Sequence, residues 1–346
     1  MMSVGGMARR LAVAGVLWLP LGGAGFAQQG TLTLYCSILE EQCREGAQLF
    51  EKATGAKVQM IRKSTGESYA TIKAESANPK GDVWWGGPGE AHLQAAEEGL
   101  TEAYKSPMLD RLQDWAVRHA ERSGYKTTGT YLGALGIGVN TDILKSKNLP
   151  EPKCWADLLD PKFRDEIMMA DPNSSGTAYT VLATMVQVFG DDKGFDMLKG
   201  LHKNISQYTK SGIAPVNALK LGETAVGIAF VHDIITQKLA GAPVRAIAPC
   251  EGTGYETGSV SLIKGGKSPE LARKFVDFAL GVEAQSINNR LKVYSMPSNK
   301  DVAVPADAPD FKAMKFIAYD TGKYGSAAVR TGLLKKWGDE VKSLPR

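Results

Sequence analysis

Thr31-Leu-Thr-Leu-Tyr35, Lys57-Val-Gln-Met-Ile61 and Asp82-Val-Trp-Trp85 are three short strand-like runs, and the segment 31–89 that holds them decides the fold. Between the first two, Leu39, Cys43, Gly46, Leu49, Phe50 and Ala53 recur on one helical face, and Gly55 stops the helix. Ser64-Thr-Gly-Glu-Ser68 opens a second helix through Ala77, and Pro79-Lys-Gly81 turns the chain into the third strand. Gly86-Gly-Pro-Gly89 then leads into a third helix, Glu90 to Glu98. Strands alternating with helices over short polar joints predict an α/β protein with a parallel sheet.

Working outward, Gly133-Ala-Leu-Gly-Ile-Gly-Val-Asn140 reads as an extended crossing segment, after which the α/β units restart. Helices are expected at Trp155–Leu159, Thr177–Phe189, Lys193–Leu201 and Val216–Leu221, and strands at Glu166–Ala170, Thr224–Phe230 and Val244–Ala248. Glu256 to Lys264 reads as a second crossing strand, followed by helices at Pro269–Leu280 and Val282–Asn289 and a helical C-terminal part from Asp310 to Leu344. The expectation is two α/β lobes joined by two crossing strands, with lobe 1 at 28–134 and 260–346 and lobe 2 at 135–259. A cleft between such lobes, faced by strand ends, is where a ligand would bind.

The first 27 residues read as an address. Arg9 and Arg10 precede an apolar run, Leu11 to Phe26, and Gly25-Phe26-Ala27 offers small residues for cleavage before Gln28. The run is short for a membrane anchor, so residues 1–27 are read as a signal peptide and the mature protein as periplasmic. Four cysteines in an exported chain imply two disulfides. Of three possible connectivities, Cys36–Cys43 with Cys154–Cys250 is favoured, the first closing a short loop between a strand end and the next helix. No CxxC or histidine at ligand spacing accompanies them, so no metal site is expected. The 346 residues are 43% hydrophobic and 23% charged, which excludes a disordered tail and a disulfide-held miniprotein. A net charge of +4 is too balanced for a nucleic-acid binder that works by bulk charge. A monomer is expected.

Taken in order, the N-terminal strand, Phe50-Glu-Lys-Ala-Thr-Gly-Ala-Lys-Val58 and Lys80-Gly-Asp-Val-Trp-Trp85 resemble the periplasmic solute-binding proteins of ABC importers. Gly138-Val-Asn140, Pro161-Lys-Phe-Arg164, Asp171-Pro-Asn-Ser-Ser-Gly176 and Gly252-Thr-Gly-Tyr-Glu256 extend the resemblance over the mature chain. It points to the branch that holds ferric-iron, sugar-phosphate and phosphonate binders, closest to the hexose-phosphate binders. The resemblance implies a bilobal type II fold that closes on its ligand and docks on an inner-membrane permease. Ferric members hold the metal with two adjacent tyrosines after a second-lobe strand. Here that stretch reads Gly227-Ile-Ala-Phe-Val-His-Asp233, and none of the 11 tyrosines has a tyrosine neighbour; the His-Asp pair could still ligate a metal, so a ferric-iron receptor stays as an alternative.

Small hydroxyls and glycines gather instead at expected helix starts. Ser37 follows the first strand, Ser64, Thr65, Gly66 and Ser68 open one helix, and Ser174, Ser175, Gly176 and Thr177 open another in the second lobe. Unpaired N–H groups and positive partial charge at helix N-termini suit a phosphate, phosphonate or carboxylate even without a dedicated arginine. Plain N-capping explains one such cluster, but two clusters on opposite lobes point to an anion site. For the polar tail of the ligand, His232 and Asp233 follow an apolar strand and Glu256 begins the second crossing. In the sugar-phosphate binders a matching His-Asp pair and later Glu bond the sugar hydroxyls. A cationic amine would satisfy the same acids, which keeps an aminoalkylphosphonate open, and Trp84, Trp85 and Tyr179 could stack on a ring, with a core role expected for at least one tryptophan. Enzymatic motifs fail. Gly266-Lys-Ser268 lacks the glycine a phosphate loop needs at position 261, Ser261-Leu-Ile-Lys264 lies on an expected strand, and a secreted hydrolase would rest on His232 and Asp233 alone. No cofactor is expected.

Overall fold

The structure is a computed structural model, which describes residues 2, 30–304 and 307–345. The expected signal peptide, 1–27, therefore lies outside the described residues apart from Met2. The first lobe begins with β1 (Thr31–Cys36), α1 (Glu40–Thr54), β2 (Lys57–Arg62), α2 (Thr65–Ala74), β3 (Val83–Pro88) and α3 (Gly89–Glu97). A short β4 (Thr101–Glu102) and α4 (Asp114–Arg122) lead to the long β5 (Thr128–Asn140) and to α5 (Thr141–Ser146). The second lobe follows with β6 (Ile167–Ala170), α6 (Gly176–Phe189), α7 (Asp191–His202), β7 (Ile205–Thr209), α8 (Ala214–Leu221), β8 (Val226–Phe230), α9 (Val231–Leu239) and β9 (Val244–Ile247). Then β10 (Tyr255–Ile263) crosses back to α10 (Pro269–Leu280), α11 (Val282–Gln285), α12 (Ile287–Arg290) and β11 (Met296–Pro297). Then come α13 (Thr321–Gly325), α14 (Ala327–Trp337) and a π-helical turn at Gly338–Lys342.

The strands run in the order β2-β1-β3-β10-β5-β8-β6-β7. In lobe 1, β1 is parallel to β2 and β3, whereas β10 is antiparallel to β3 and β5. The N-terminal half of β5 pairs with β10 and its C-terminal half, Leu135 to Val139, pairs with β8, so one strand serves both lobes. Parallel strands buried on both faces need apolar runs, and Val-Gly-Ile-Ala-Phe of β8 is buried throughout. Both disulfides form, Cys36–Cys43 with Cα atoms 6.0 Å apart and Cys154–Cys250 with 4.7 Å. Among the described residues, no helix is long and apolar enough to cross a membrane.

Each lobe has its own core. Leu32, Leu34, Phe50, Val83, Trp85, Val260 and Phe275 pack in lobe 1, and Leu135, Ile137, Trp155, Phe163, Leu182 and Ile228 in lobe 2. The chain after residue 260 divides between them. Phe275, Leu280 and Ile287 lie in the lobe 1 core, but Tyr319, Tyr324, Leu333, Trp337 and Val341 join the lobe 2 core. The last stretch also lies against α3 of lobe 1, where Tyr319 Oη donates to Glu90 Oε1 and Arg330 Nη1 to Gln94 Oε1, each at 2.7 Å, so it packs on both lobes. That stretch is also less helical than expected: Phe311–Ala313 is one 3-10 turn, and α-helix starts only at Thr321. Strand β7 and helices α4, α5 and α9 are additions to the sequence reading, and the helix expected at Trp155–Leu159 is a 3-10 turn, Ala156–Leu159.

Candidate functional site

Two helix N-termini, one from each lobe, meet across the cleft. Ser64 is the N-cap of α2, and its backbone N–H donates to Glu67 Oε2 at 3.2 Å. Ser175 is the N-cap of α6 and accepts from Ala178 N. The loop before α6 is stiffened by Asp171, whose Oδ1 accepts from Asn173 N at 2.9 Å and Nδ2 at 3.0 Å and whose other oxygen pairs with Lys342. The lobes touch directly here: Gly66 N–H donates to Ser174 O at 3.0 Å. A Cβ at Gly66 would stand 2.2 Å from Asn173 O, and one at Gly176 2.7 Å from Pro88, so both glycines permit this backbone approach.

The cavity between the lobes is lined at this end by Ser37, Ser64, Thr65, Ser175, Gly176 and Thr177, and at the other by His232, Asp233 and Glu256. Nine of the expected site residues therefore share one crevice. Four do not. Gly66 uses its N–H on the opposite lobe, Ser68 is fully buried with its Oγ 2.9 Å from Ser37 Oγ, and Ser174 Oγ donates to Lys210 O. Trp85 is a core residue. Neighbouring side chains on a strand point to opposite faces, so Trp85 packs edge-on to Phe275 while Trp84 stacks on His92 at 3.6 Å. Tyr179 is also outside the cavity, fully buried beneath the Arg330 guanidinium.

Residues beyond the sequence reading complete the walls. Arg62, at the end of β2, donates from Nε to Ile38 O at 3.1 Å and from Nη2 to Ser211 Oγ at 3.4 Å across the cleft. Burial pushes its pKa down, opposed by Glu67 and Glu40. This end of the cavity thus holds a cation as well as helix termini. Ser211 and Gly212 follow β7, and Tyr131 projects from β5. A strand end facing the cleft is the signal that could have found Arg62.

At the other end three ionisable groups are packed together. His232 Nε2 lies 3.6 Å from Asp233 Oδ1 and 3.9 Å from Glu256 Oε1, with all three buried. Desolvation raises the pKa of both carboxyls and lowers that of the imidazole, for which Asp233 acts in the opposite sense. Tyr131 Oη donates to Glu256 Oε2 at 3.4 Å and accepts from Gly87 N at 3.4 Å. His232 Nδ1 is buried with no hydrogen-bond partner, and its ring lies parallel to Phe230 with centroids 5.7 Å apart. Such a constellation is short of partners, and a ligand with hydroxyl donors and acceptors would supply them.

Two α/β lobes on shared crossing strands, closing over a polar cavity, define a type II solute-binding protein. The chain belongs to the bacterial extracellular solute-binding protein family, whose profile matches residues 87–323. It is 43% identical to the periplasmic binding protein AfuA from Actinobacillus pleuropneumoniae, a structure with fructose-6-phosphate bound, with a TM-score of 0.87 over 91% of this chain and 99% of that one. The periplasmic binding protein P5PA is 38% identical, with a TM-score of 0.88 over 90% of this chain and 99% of its own. A Haemophilus influenzae protein of unassigned function is 41% identical over 94% of both chains.

Proposed function

We propose that this protein is the periplasmic receptor of an ABC importer and carries a phosphorylated sugar or related organophosphate in the interlobe cavity. The observation that carries the reading is one crevice with two chemistries. Hydroxyls, two helix N-termini and Arg62 stand at one end, and His232, Asp233 and Glu256 at the other. A phosphoryl group would accept from Ser37, Ser64, Thr65, Ser175 and Thr177 and from free amides of both helices. Sugar hydroxyls would donate to the carboxylates, each of which accepts in fixed geometry. The fructose-6-phosphate in AfuA supports this class of ligand. Contacts from both lobes stabilise the closed form, which the permease would recognise.

Calorimetric titration with hexose phosphates, glycerol phosphates, 2-aminoethylphosphonate, free sugars, inorganic phosphate and ferric citrate tests the reading. A hexose phosphate is expected to bind tightest. Asp233→Ala and Glu256→Ala should each weaken it by about tenfold to a hundredfold, the worth of one hydrogen bond to a charged group. The melting temperature without ligand should stay level or rise, since a buried carboxyl is removed. Normal hexose-phosphate binding by both variants would end the tail assignment, and tighter binding of the phosphonate or of iron would replace the ligand class.

A further inference from the structure

The two crossing strands meet the cavity in two cross-strand pairs with opposite polarity of size. Gly133 of β5 faces Glu256 of β10, and Tyr131 of β5 faces Gly258 of β10. In an antiparallel pair, side chains directly opposite compete for the same space. A Cβ on Gly133 would stand 2.5 Å from His232 Cε1, 2.7 Å from His232 Nδ1 and 2.8 Å from Glu256 Oε1. A Cβ on Gly258 would stand 2.2 Å from both Cε1 and Cζ of Tyr131. Neither glycine has a positive φ, so backbone geometry does not require glycine at either place. The missing side chains are what let Glu256 fold across one strand toward His232 and let Tyr131 lie across the other. A glycine inside a strand often marks such a close approach.

We propose that Gly133 and Gly258 are positioning residues of the tail subsite, acting by leaving room for the polar side chain opposite rather than by touching the solute. This rests on the reading that the tail subsite holds sugar hydroxyls. His232 has little space to yield: Phe230 lies parallel to its ring on one side and Tyr131 meets it edge-on with centroids 6.3 Å apart. Bringing Cε1 out to an ordinary contact of 3.4 Å from a new methyl moves it by about 0.9 Å. A displacement of that size breaks a hydrogen bond held near 3 Å.

Gly133→Ala is expected to weaken glucose 6-phosphate binding about tenfold or more, and its ligand-free crystal structure should show the His232 ring and the Glu256 carboxylate displaced. Gly258→Ala is expected to cost the same as Tyr131→Ala, with the double variant no weaker than either, because one acts through the other. Unchanged affinity in Gly133→Ala, an unmoved His232 ring, or additive losses in the Gly258–Tyr131 cycle would overturn the inference. If Gly133→Ala fails to fold, the cycle decides. Wild-type protein that binds no sugar phosphate refutes the parent reading instead, and the ligand-free crystal structure still decides whether Gly133 makes the room.

Discussion

Replacing Gly66 by alanine should separate closure from folding. Gly66 lies at the second position of α2, where an alanine is conformationally welcome and worth up to about 1 kcal/mol to the helix. In the closed form the same methyl meets the other lobe, 2.2 Å from Asn173 O and 2.9 Å from Ser174 C and O. Restoring a 3.4 Å contact would hold the lobes apart by about 1.2 Å at this edge and break the Gly66–Ser174 hydrogen bond. That bond is worth about 1 kcal/mol, and loss of one ligand contact spanning the gap adds about 1–2 kcal/mol. Closed-state destabilisation of about 2–3 kcal/mol weakens binding by about 30- to 150-fold, since the ligand must now supply that difference. Titration calorimetry reads the affinity, small-angle scattering with and without hexose phosphate reads closure, and a melt without ligand reads stability. The expected pattern has opposite signs: weaker binding and incomplete closure, with a melting temperature unchanged or higher. Affinity within threefold of wild type together with full closure would refute the reasoning, as would a fall in melting temperature matching the fall in affinity.

Two further outcomes concern stability. Burial pushes the pKa of His119 down to about 4, so between pH 4 and 6.5 the unfolded chain binds a proton at this ring that the folded chain does not. Stability from this site is complete above pH 6.5 and is lost as pH falls toward 4. Urea unfolding of His119→Gln should therefore decline less steeply over that range than wild type, by up to about 1.4 kcal/mol per pH unit; equal slopes would count against it. Comparing variants is needed because the raised carboxyls of Glu90, Asp233 and Glu256 act in the opposite direction. The disulfides should differ as well. Cys154–Cys250 spans a sequence separation of 96 and Cys36–Cys43 one of 7, so loop-closure entropy assigns them about 4.7 and about 2.5 kcal/mol. Removing the long-range bridge with paired alanines should cost about 2 kcal/mol more in denaturant unfolding than removing the short one.

The alternating strands and helices of residues 31–97 were legible because each helix carries its own start and stop, as Ser64 and Gly55 illustrate. The cavity residues were legible for a related reason: Ser37, Ser175 and His232 each stand where a strand has ended or a helix begins. What escaped reading has physical causes too. Trp84 and Trp85 lie on a strand buried on both faces, so no polar alternation tells which ring faces the core. Arg62 closes a strand whose residues alternate between exposed and half-buried, and its pattern alone suggests a solvated side chain. Ile205-Ser-Gln-Tyr-Thr209 is too mixed to announce β7, and Ser211 and Gly212 were hidden with it. The passage of residues 319–341 onto lobe 2 depends on long-range packing, which no local pattern encodes.

That last passage has a mechanical side. Lys342 grips Asp171, and the Leu344 carbonyl lies 2.9 Å from His202 Nε2, so residues 342–344 brace the loop that leads into Ser175 from behind the crevice. Lys342→Ala, which removes the Asp171 pairing, would loosen that brace and slacken the crevice wall it supports.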